Sequence, residues 1–334
     1  MRRIRLRFAG REVEFVNREQ ALRLIEDWAE RGTYPVQVVY GPEGCGKTAW
    51  LLQSAEFLKE LGFEVIYVNP INKEVLAELS IVDLRGEFMR LVREVISQNA
   101  LGRLAWLAFD MAKELIKATR GKIAVIVDDA FQILGVKESA IYVKALLNLI
   151  EYPPESYERI VTIAATSEGV SLREIGRHRW AWSTPMWNMA KDSFKQLYDQ
   201  IPSNKPPFEE VWKTTGGNPA MLENLYKVDW NIDEVVNKLI KEKDLSHSFI
   251  KKWSNHLGEA VNDPDYLWFN APEELINELI ERNLILYFLP KRDPNQWIDQ
   301  PPPERDPELG IGKYVAWQTP LHREAVRKAL RELT

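Results

Sequence analysis

The chain has 334 residues, which at roughly 150 residues per domain makes room for about two domains or three small ones. At 45% hydrophobic and 28% charged it is globular, which excludes a mainly disordered protein. The 44 Lys plus Arg against 49 Asp plus Glu leave a formal net charge of -5, so a constitutive nucleic-acid coat is excluded and only a local basic patch is left for such a contact.

A single cysteine, Cys45, excludes an internal disulfide framework and a cysteine zinc cluster. Four scattered histidines, His178, His247, His256 and His322, make a His-only metal site a poor candidate. The stretch from Met1 to Phe15 is charged throughout and has no apolar signal core, and no run of about 18 apolar residues exists to span a bilayer. The expectation is a soluble, reduced, cytoplasmic protein with no membrane partner.

In chain order, residues 4–8 and 12–16 alternate apolar and charged around Ala9-Gly10-Arg11 and predict a hairpin. Asn17 with Gln20 forms a capping-box pattern for a helix to about Arg31, broken by Gly32-Thr33-Tyr34-Pro35. The apolar run Val36 to Tyr40 reads as a buried strand, then come a glycine-rich turn, Gly41 to Gly46, and a helix from Lys47 to Leu61 ended by Gly62. A strand over Glu64 to Asn69, helical text over 73–80 and 85–118, and a strand over Ile123 to Val127 running into Asp128-Asp129 follow. A helix over 138–150, a strand over Arg159 to Ala165 and a candidate strand over Trp180 to Trp187 complete this half. Short apolar strands separated by helices, without polar alternation, predict an α/β parallel sheet with helices on both faces.

Beyond residue 188 the text is helical, over 190–201, 206–214, 219–227, 231–243 and 246–258. After Pro264, a helix over 271–282, a strand over Leu284 to Leu289, a Pro-rich stretch over 290–307, a strand over Tyr314 to Trp317 and a helix over 320–333 outline a winged-helix arrangement, with Gln300-Pro301-Pro302-Pro303 and its neighbours as a flexible wing or extended loop. The predicted organisation is 1–188, a phosphate-binding domain, 189–258, a helical lid, and 259–334, a winged-helix-like domain.

Gly41-Pro42-Glu43-Gly44-Cys45-Gly46-Lys47-Thr48 fits G-x-x-x-x-G-K-[ST] between a strand and a helix, the context that turns a pattern into a P-loop. Glycines let the backbone wrap with N–H groups inward, and the helix N-terminus, including Ala49, adds partial positive charge. Lys47 can reach the outer phosphates and the Thr48 hydroxyl can ligate Mg²⁺. Cys45 is a small residue at a variable loop position, with phosphate-competitive alkylation as the sharper alternative. Asp128, at a strand's C-terminal end, is the candidate Mg²⁺ carboxylate, and Asp129 the group that orients or deprotonates the attacking water. Thr166-Ser167-Glu168 follows the neighbouring strand, where a polar side chain can sense the outer phosphate or position the water, against a plain strand-end turn; Thr166 is the candidate.

With these residues in place, the chain resembles the archaeal ATPase family within the STAND class of AAA-related P-loop NTPases. Phe15-Val16-Asn17-Arg18-Glu19 is similar to that family's F-x-G-R-E entry motif, with Asn17 where glycine is usual. Asp128-Asp129-Ala130-Phe131-Gln132 is similar to its D-E-F-Q strand end, with Asp129 in place of Glu and Ala130 inserted. Gly216-Gly217-Asn218-Pro219 resembles the G-x-P lid motif, although a helix C-cap before a Pro-started helix explains the same residues locally. The likeness covers about residues 12–230.

The resemblance implies ATP and Mg²⁺ as ligands, Pro219 against the adenine, Arg18 or its neighbours near the base, and Met186 to Tyr198 as the helix that opens the lid. It also implies a switch that binds ATP between sheet domain and lid and couples nucleotide state to an unknown protein partner. Adenine over guanine agrees with the lack of an N-K-x-D motif. Asp129, one methylene shorter than the usual Glu, implies slow hydrolysis. Ring-forming relatives place an arginine after the sensor strand to act on a neighbouring subunit; Arg177, among Arg173, Arg177 and Arg179, is the candidate for a nucleotide-dependent oligomer, against a plain solvated basic face.

The alternative function is a DNA-stimulated motor or recombination ATPase acting through the C-terminal unit. His322, Arg323, Arg327, Lys328 and Arg331 share the last helix, diluted by Glu324 and Glu332, so a protein-docking or autoinhibitory module outweighs DNA there. The many tryptophans of the latter half are expected to pack cores, with a base-stacking platform as the sharper alternative.

Overall fold

The computed structural model describes residues 2–167, 169–202 and 204–333. The chain divides into two compact units: Met1–Ile4, Glu19–Tyr40 and Lys47–Thr184 form one, and Arg5–Arg18, Gly41–Gly46 and Pro185–Thr334 the other. The predicted hairpin is present as β1 (Arg5–Phe8) and β2 (Arg11–Glu14), turned by Ala9 (φ 47°) and Gly10 (φ 78°), the left-handed pair that matches strand twist.

The first helix of the first unit is α1 (Glu19–Arg31), which buries Leu22, Ile25 and Trp28 on one face. Asn17 is not its cap: the helix starts two residues later, and Asn17 Oδ1 accepts the Arg18 N–H instead. Asn17 (φ 55°) and Arg18 (φ 61°) are both left-handed. That explains the glycine usual at position 17, since asparagine is among the few other residues that tolerate this region.

Next come β3 (Val36–Tyr40), α2 (Lys47–Glu60), β4 (Glu64–Asn69) and β5 (Glu74–Glu78). They are followed by α3 (Val82–Ser97), α4 (Gly102–Thr119), β6 (Lys122–Asp128) and α5 (Phe131–Glu151), then β7 (Arg159–Thr166), α6 (Gly169–Ile175) and β8 (Ala181–Pro185). The sheet order is β5-β4-β6-β7-β3-β8, with β4, β6, β7 and β3 parallel and β5 antiparallel at one edge. This is an α/β fold, a mostly parallel sheet flanked by helices. Val36, Val38, Ile66, Val68, Ile123, Val125 and Val127 share one core with α4 and α5 residues such as Leu104, Tyr142 and Leu146. On α1 and α2, Trp28 and Trp50 meet edge to face at 6.3 Å, and Trp50 Nε1 donates to the Ala21 carbonyl at 3.3 Å.

Three local expectations change here. Residues 73–80, expected to be helical, form edge strand β5: Asn69 Oδ1 accepts from Asn72 N and Lys73 turns left-handed at φ 54°, which folds the chain back onto β4. Pairing the open edge of β4 outweighs the weak local helix preference of Lys73 to Leu79. The expected single helix over 85–118 is two, broken where Asn99 takes φ 53°. The helix expected from 138 starts at Phe131 and is interrupted at Gly135 (φ 73°, ψ 170°).

The second unit holds β1, β2 and α7 (Lys191–Asp199), α8 (Phe208–Thr215), α9 (Pro219–Lys227), α10 (Ile232–Glu242) and α11 (His247–Ala260). It ends with α12 (Tyr266–Asn270), α13 (Glu273–Glu281), β9 (Ile285–Tyr287), β10 (Val315–Trp317) and α14 (Pro320–Arg331). Side-chain caps set several starts: Asn218 accepts from Met221 N, Asn231 from Glu234 N, Ser246 from Phe249 N and Thr319 from His322 N. Phe8 and Val13 pack with Met189, Phe194, Leu197 and Leu222. Strands β9 and β10 pair antiparallel, Leu286 opposite Ala316. The Asp265 carboxylate accepts the N–H groups of Lys313, Tyr314 and Val315 at 2.7–3.1 Å and so shapes the entry to β10.

The Pro-rich stretch, expected to be a flexible wing or an extended loop, is a loop pinned in its middle. Trp297, Ile298 and Asp299 are 2%, 0% and 4% exposed. Trp297 packs with Trp187, Leu289 and Leu309, and an indole brings enough apolar area to hold a loop down. No helix among the described residues is long and apolar enough to cross a membrane.

Candidate functional site

Strand parity places the acidic residues. Val127 of β6 and Val68 of β4 sit side by side in register and point into the α4/α5 core, so Asp128, Tyr67 and Asn69 emerge on the opposite face. There the Tyr67 hydroxyl (3.1 Å) and Asn69 Nδ2 (3.0 Å) both donate to Asp128 Oδ2. Asp128 is fully buried, and its other oxygen, Oδ1, has no hydrogen-bond partner. Burial, and then the charge of Asp129, push the Asp128 carboxyl above its ordinary range, while hydrogen bonding from Thr48, Tyr67 and Asn69 pulls it down. Burial with the nearby Asp128 charge also drives Tyr67 far up, so its hydroxyl stays a donor.

An orphaned, buried carboxylate oxygen beside a threonine hydroxyl fits a hard divalent cation. No group of three or more His, Cys, Asp or Glu side chains that could hold a metal ion is found among the described residues.

The same geometry yields a stability prediction. With its folded-state pKa raised, Asp128 keeps a proton that the unfolded chain has already lost, so its favourable contribution is present below the unfolded pKa of ~3.9 and is lost as pH rises through the folded value. Asp128→Asn retains an oxygen for Tyr67 and Asn69 and removes the buried charge. At pH 7 without divalent cations it is expected to gain on the order of 1–3 kcal/mol in urea unfolding. A variant no more stable than wild type at pH 7 contradicts the account.

Asp129 follows with a left-handed backbone (φ 49°), its N–H on the Ala165 carbonyl at 3.0 Å. Ser167 Oγ reaches Asp129 Oδ1 at 3.4 Å and Gln132 Nε2 reaches Ser167 Oγ at 3.3 Å, so the ends of β6 and β7 and the start of α5 share one polar chain. Thr166 is buried at the end of β7, opposite Tyr40 in register with β3. Glu168 lies outside the described residues. Lys47 begins α2 and is 5% exposed, with Thr48 and Ala49 half-buried behind it in the first turn, where backbone N–H groups have no helical carbonyl to bond. Arg177 is on the surface after α6 and pairs with Glu174 at 2.9 Å.

The preceding residues, Gly41 to Gly46, belong to the second compact unit and are held there by backbone bonds. Glu43 N–H donates to Gln318 Oε1 (2.9 Å), Asn218 Nδ2 to the Glu43 carbonyl (2.9 Å), and Ala220 N–H to the Gly44 carbonyl (3.2 Å). Lys243 pairs with the Glu43 carboxylate. Pro42 and Cys45 are buried, and Cys45 Sγ lies 3.7 Å from the Met186 carbonyl. A Cβ on Gly41 would stand 1.9 Å from the Met186 oxygen, and one on Gly44 2.3 Å from Ala220 Cβ, so both positions exclude larger residues by contact. Pro219 is the first residue of α9 and its Cγ is 3.9 Å from where a Cβ on Gly46 would be. The Arg18 guanidinium, in the same unit, donates to the Cys45 and Trp187 carbonyls and pairs with Asp299 at 3.0 Å.

Tyr67, Asn69, Lys243, Asp299 and Gln318 join these groups although no sequence motif includes them. For Tyr67 and Asn69 a signal existed: they are the polar residues at the end of an otherwise apolar strand. For Asp299 and Gln318 nothing local distinguished them from loop residues.

A family model for an ATPase domain predominantly from Archaea matches residues 15–225. No curated protein matches the chain. Solved structures with a similar fold include a replication initiator DnaA bound to AMPPCP and single-stranded DNA, at 18% identity over 66% of this chain and 64% of that one, TM-score 0.37. Cdc6p from Pyrobaculum aerophilum is similar at 13% identity over 94% of this chain and 93% of that one, TM-score 0.38. The Orc1 protein of Aeropyrum pernix, in complex with DNA, is similar at 15% identity over 95% and 92%, TM-score 0.39.

Proposed function

Because the chain belongs to the family of ATPase domains found predominantly in Archaea, we propose that it is a slow, Mg²⁺-dependent, ATP-hydrolysing switch of the STAND type whose nucleotide state sets the binding of a protein partner. Gly41 to Gly46 and the first turn of α2, Lys47 to Ala49, cradle the phosphates in this reading, with Arg18 and Pro219 on the nucleotide side. Thr48 and Asp128 hold Mg²⁺, which when bound offsets charge on the phosphoryl oxygens. Asp129 orients the attacking water and takes its proton, and Thr166 senses the outer phosphate. Residues 189–258 act as a lid and 259–334 as a winged-helix-like module in a cytoplasmic protein.

One observation supports the switch above the rest. The loop meant to hold phosphate is bonded through its own backbone to Asn218, Ala220 and Gln318, at the starts of α9 and α14. A change in that loop on losing the outer phosphate therefore acts directly on the helices that would display a partner surface. On α13, the helix before β9, Glu274 and Glu278 pair with Lys252 and Arg282, and Glu273 and Glu281 add negative charge that disfavours a phosphate backbone there.

ATP hydrolysis by the purified chain, with and without DNA, tests the reading, alongside sedimentation with and without nucleotide for an oligomer completed by Arg177. Turnover is expected below ~1 per second, the low end of enzyme rates, with no stimulation by DNA. Asp129→Glu, which extends the carboxylate by one methylene, is expected to raise kcat several-fold. Unaided turnover at tens per second overturns the slow switch, and strong stimulation by DNA favours a DNA-coupled motor or repair ATPase.

A further inference from the structure

The Arg18 guanidinium is held in an unusual way for a residue beside a phosphate loop. It is 3% exposed, its backbone is left-handed at φ 61°, and its partner Asp299 is 4% exposed. A left-handed arginine is strained and persists only where surrounding contacts fix it. Those contacts are the Asp299 carboxylate and the Cys45 and Trp187 carbonyls, within the second unit.

Cys45 makes this arrangement functional. A loop that gives N–H groups to phosphate must turn its carbonyls outward, and each outward carbonyl needs a donor. Asn218 serves Glu43, Ala220 serves Gly44 and Arg18 serves Cys45. In a trans peptide the carbonyl and the next N–H point opposite ways, so the bond to Cys45 also aims the Gly46 N–H, on the far side of the same peptide plane. Gly46 itself has φ 103°, a conformation in which the peptide can swing unless it is held. Arg18 can do this only while its own charge is balanced in a buried place, and Asp299 is the carboxylate that balances it.

We propose that Asp299 is a positioning residue for nucleotide binding: by fixing Arg18 it orients the Cys45–Gly46 peptide and keeps the Gly46 N–H turned toward the phosphate site. The proposal rests on the ATPase reading above and adds a member to it from the Pro-rich stretch, far from the motif in sequence. Since the Gly46 N–H meets phosphate in ground state and transition state alike, the loss is expected in KM and in nucleotide affinity, with kcat little changed.

The test measures the affinity of ADP by calorimetry, KM and kcat for ATP, and the thermal unfolding midpoint without nucleotide, for the full chain. Asp299→Asn is expected to weaken ADP binding and raise KM by about tenfold, with kcat within about threefold, and Asp299→Glu to recover part of the loss. The double variant Arg18→Leu/Asp299→Leu removes both charges together, a change that buried ion pairs often tolerate, so it serves if single variants fail to fold. It is expected to unfold near the wild-type midpoint yet bind ADP as poorly as Asp299→Asn. Wild-type or tighter ADP binding by either folded variant overturns the proposal, since a merely structural pair predicts it. Lys47→Ala measured in parallel separates the failures: if it too binds ADP normally, the ATPase site itself is misplaced; if it alone loses binding, only the role of Asp299 is refuted.

Discussion

Lys47→Ala is expected to weaken ATP binding by at least ~100-fold while leaving the fold intact, because a charge-assisted contact to phosphate is worth on the order of 3 kcal/mol where water is partly excluded. Lys47 opens α2 and is only 5% exposed, so its ammonium acts where bulk solvent screens little. In the proposed site it is the sole side-chain cation of the motif, and the backbone N–H groups that remain carry partial charges only. Equilibrium titration with ATP, ADP and Mg²⁺ reads the loss, and urea unfolding shows that the variant is folded. Unchanged affinity in a folded variant would remove the phosphate site from this loop.

The second large effect falls on rate rather than affinity. Asp129→Ala is expected to lower kcat by roughly 10²- to 10⁴-fold, the usual contribution of a positioned general base, and to keep ATP affinity within about threefold. The residue is held by its left-handed backbone, by its N–H on the Ala165 carbonyl and by Ser167, which Gln132 supports in turn. That support predicts a graded series in single-turnover hydrolysis: Ser167→Ala loses part of the rate, and Asp129→Ala nearly all of it. If Asp129→Ala hydrolyses bound ATP normally, another residue handles the water.

Much of the candidate site could be read directly from residue order. The glycines and Lys47-Thr48 are adjacent in the chain, and the phosphate-binding role proposed for them depends on backbone conformations that glycine permits and on a helix start, both local properties. Asp128-Asp129 was legible for a similar reason: a continuous apolar strand buries its length, and polar residues gather where it ends. Asn17 shows the limit even at this range, since the resemblance marked it as a departure but only its φ of 55° explained why asparagine could stand there.

What the chain order alone determined, then, was everything set by neighbours within a turn or a strand: the phosphate motif, the acidic strand end, the alternation of strands and helices, and the charge balance. Tertiary structure decided which distant groups meet. The register of β4 against β6 sets Tyr67 and Asn69 on Asp128, the open edge of β4 turns residues 74–78 into a strand, and the burial of Trp297 carries Asp299 to Arg18. Those pairings are chosen by the summed packing of whole layers, a sum that no short window of sequence contains.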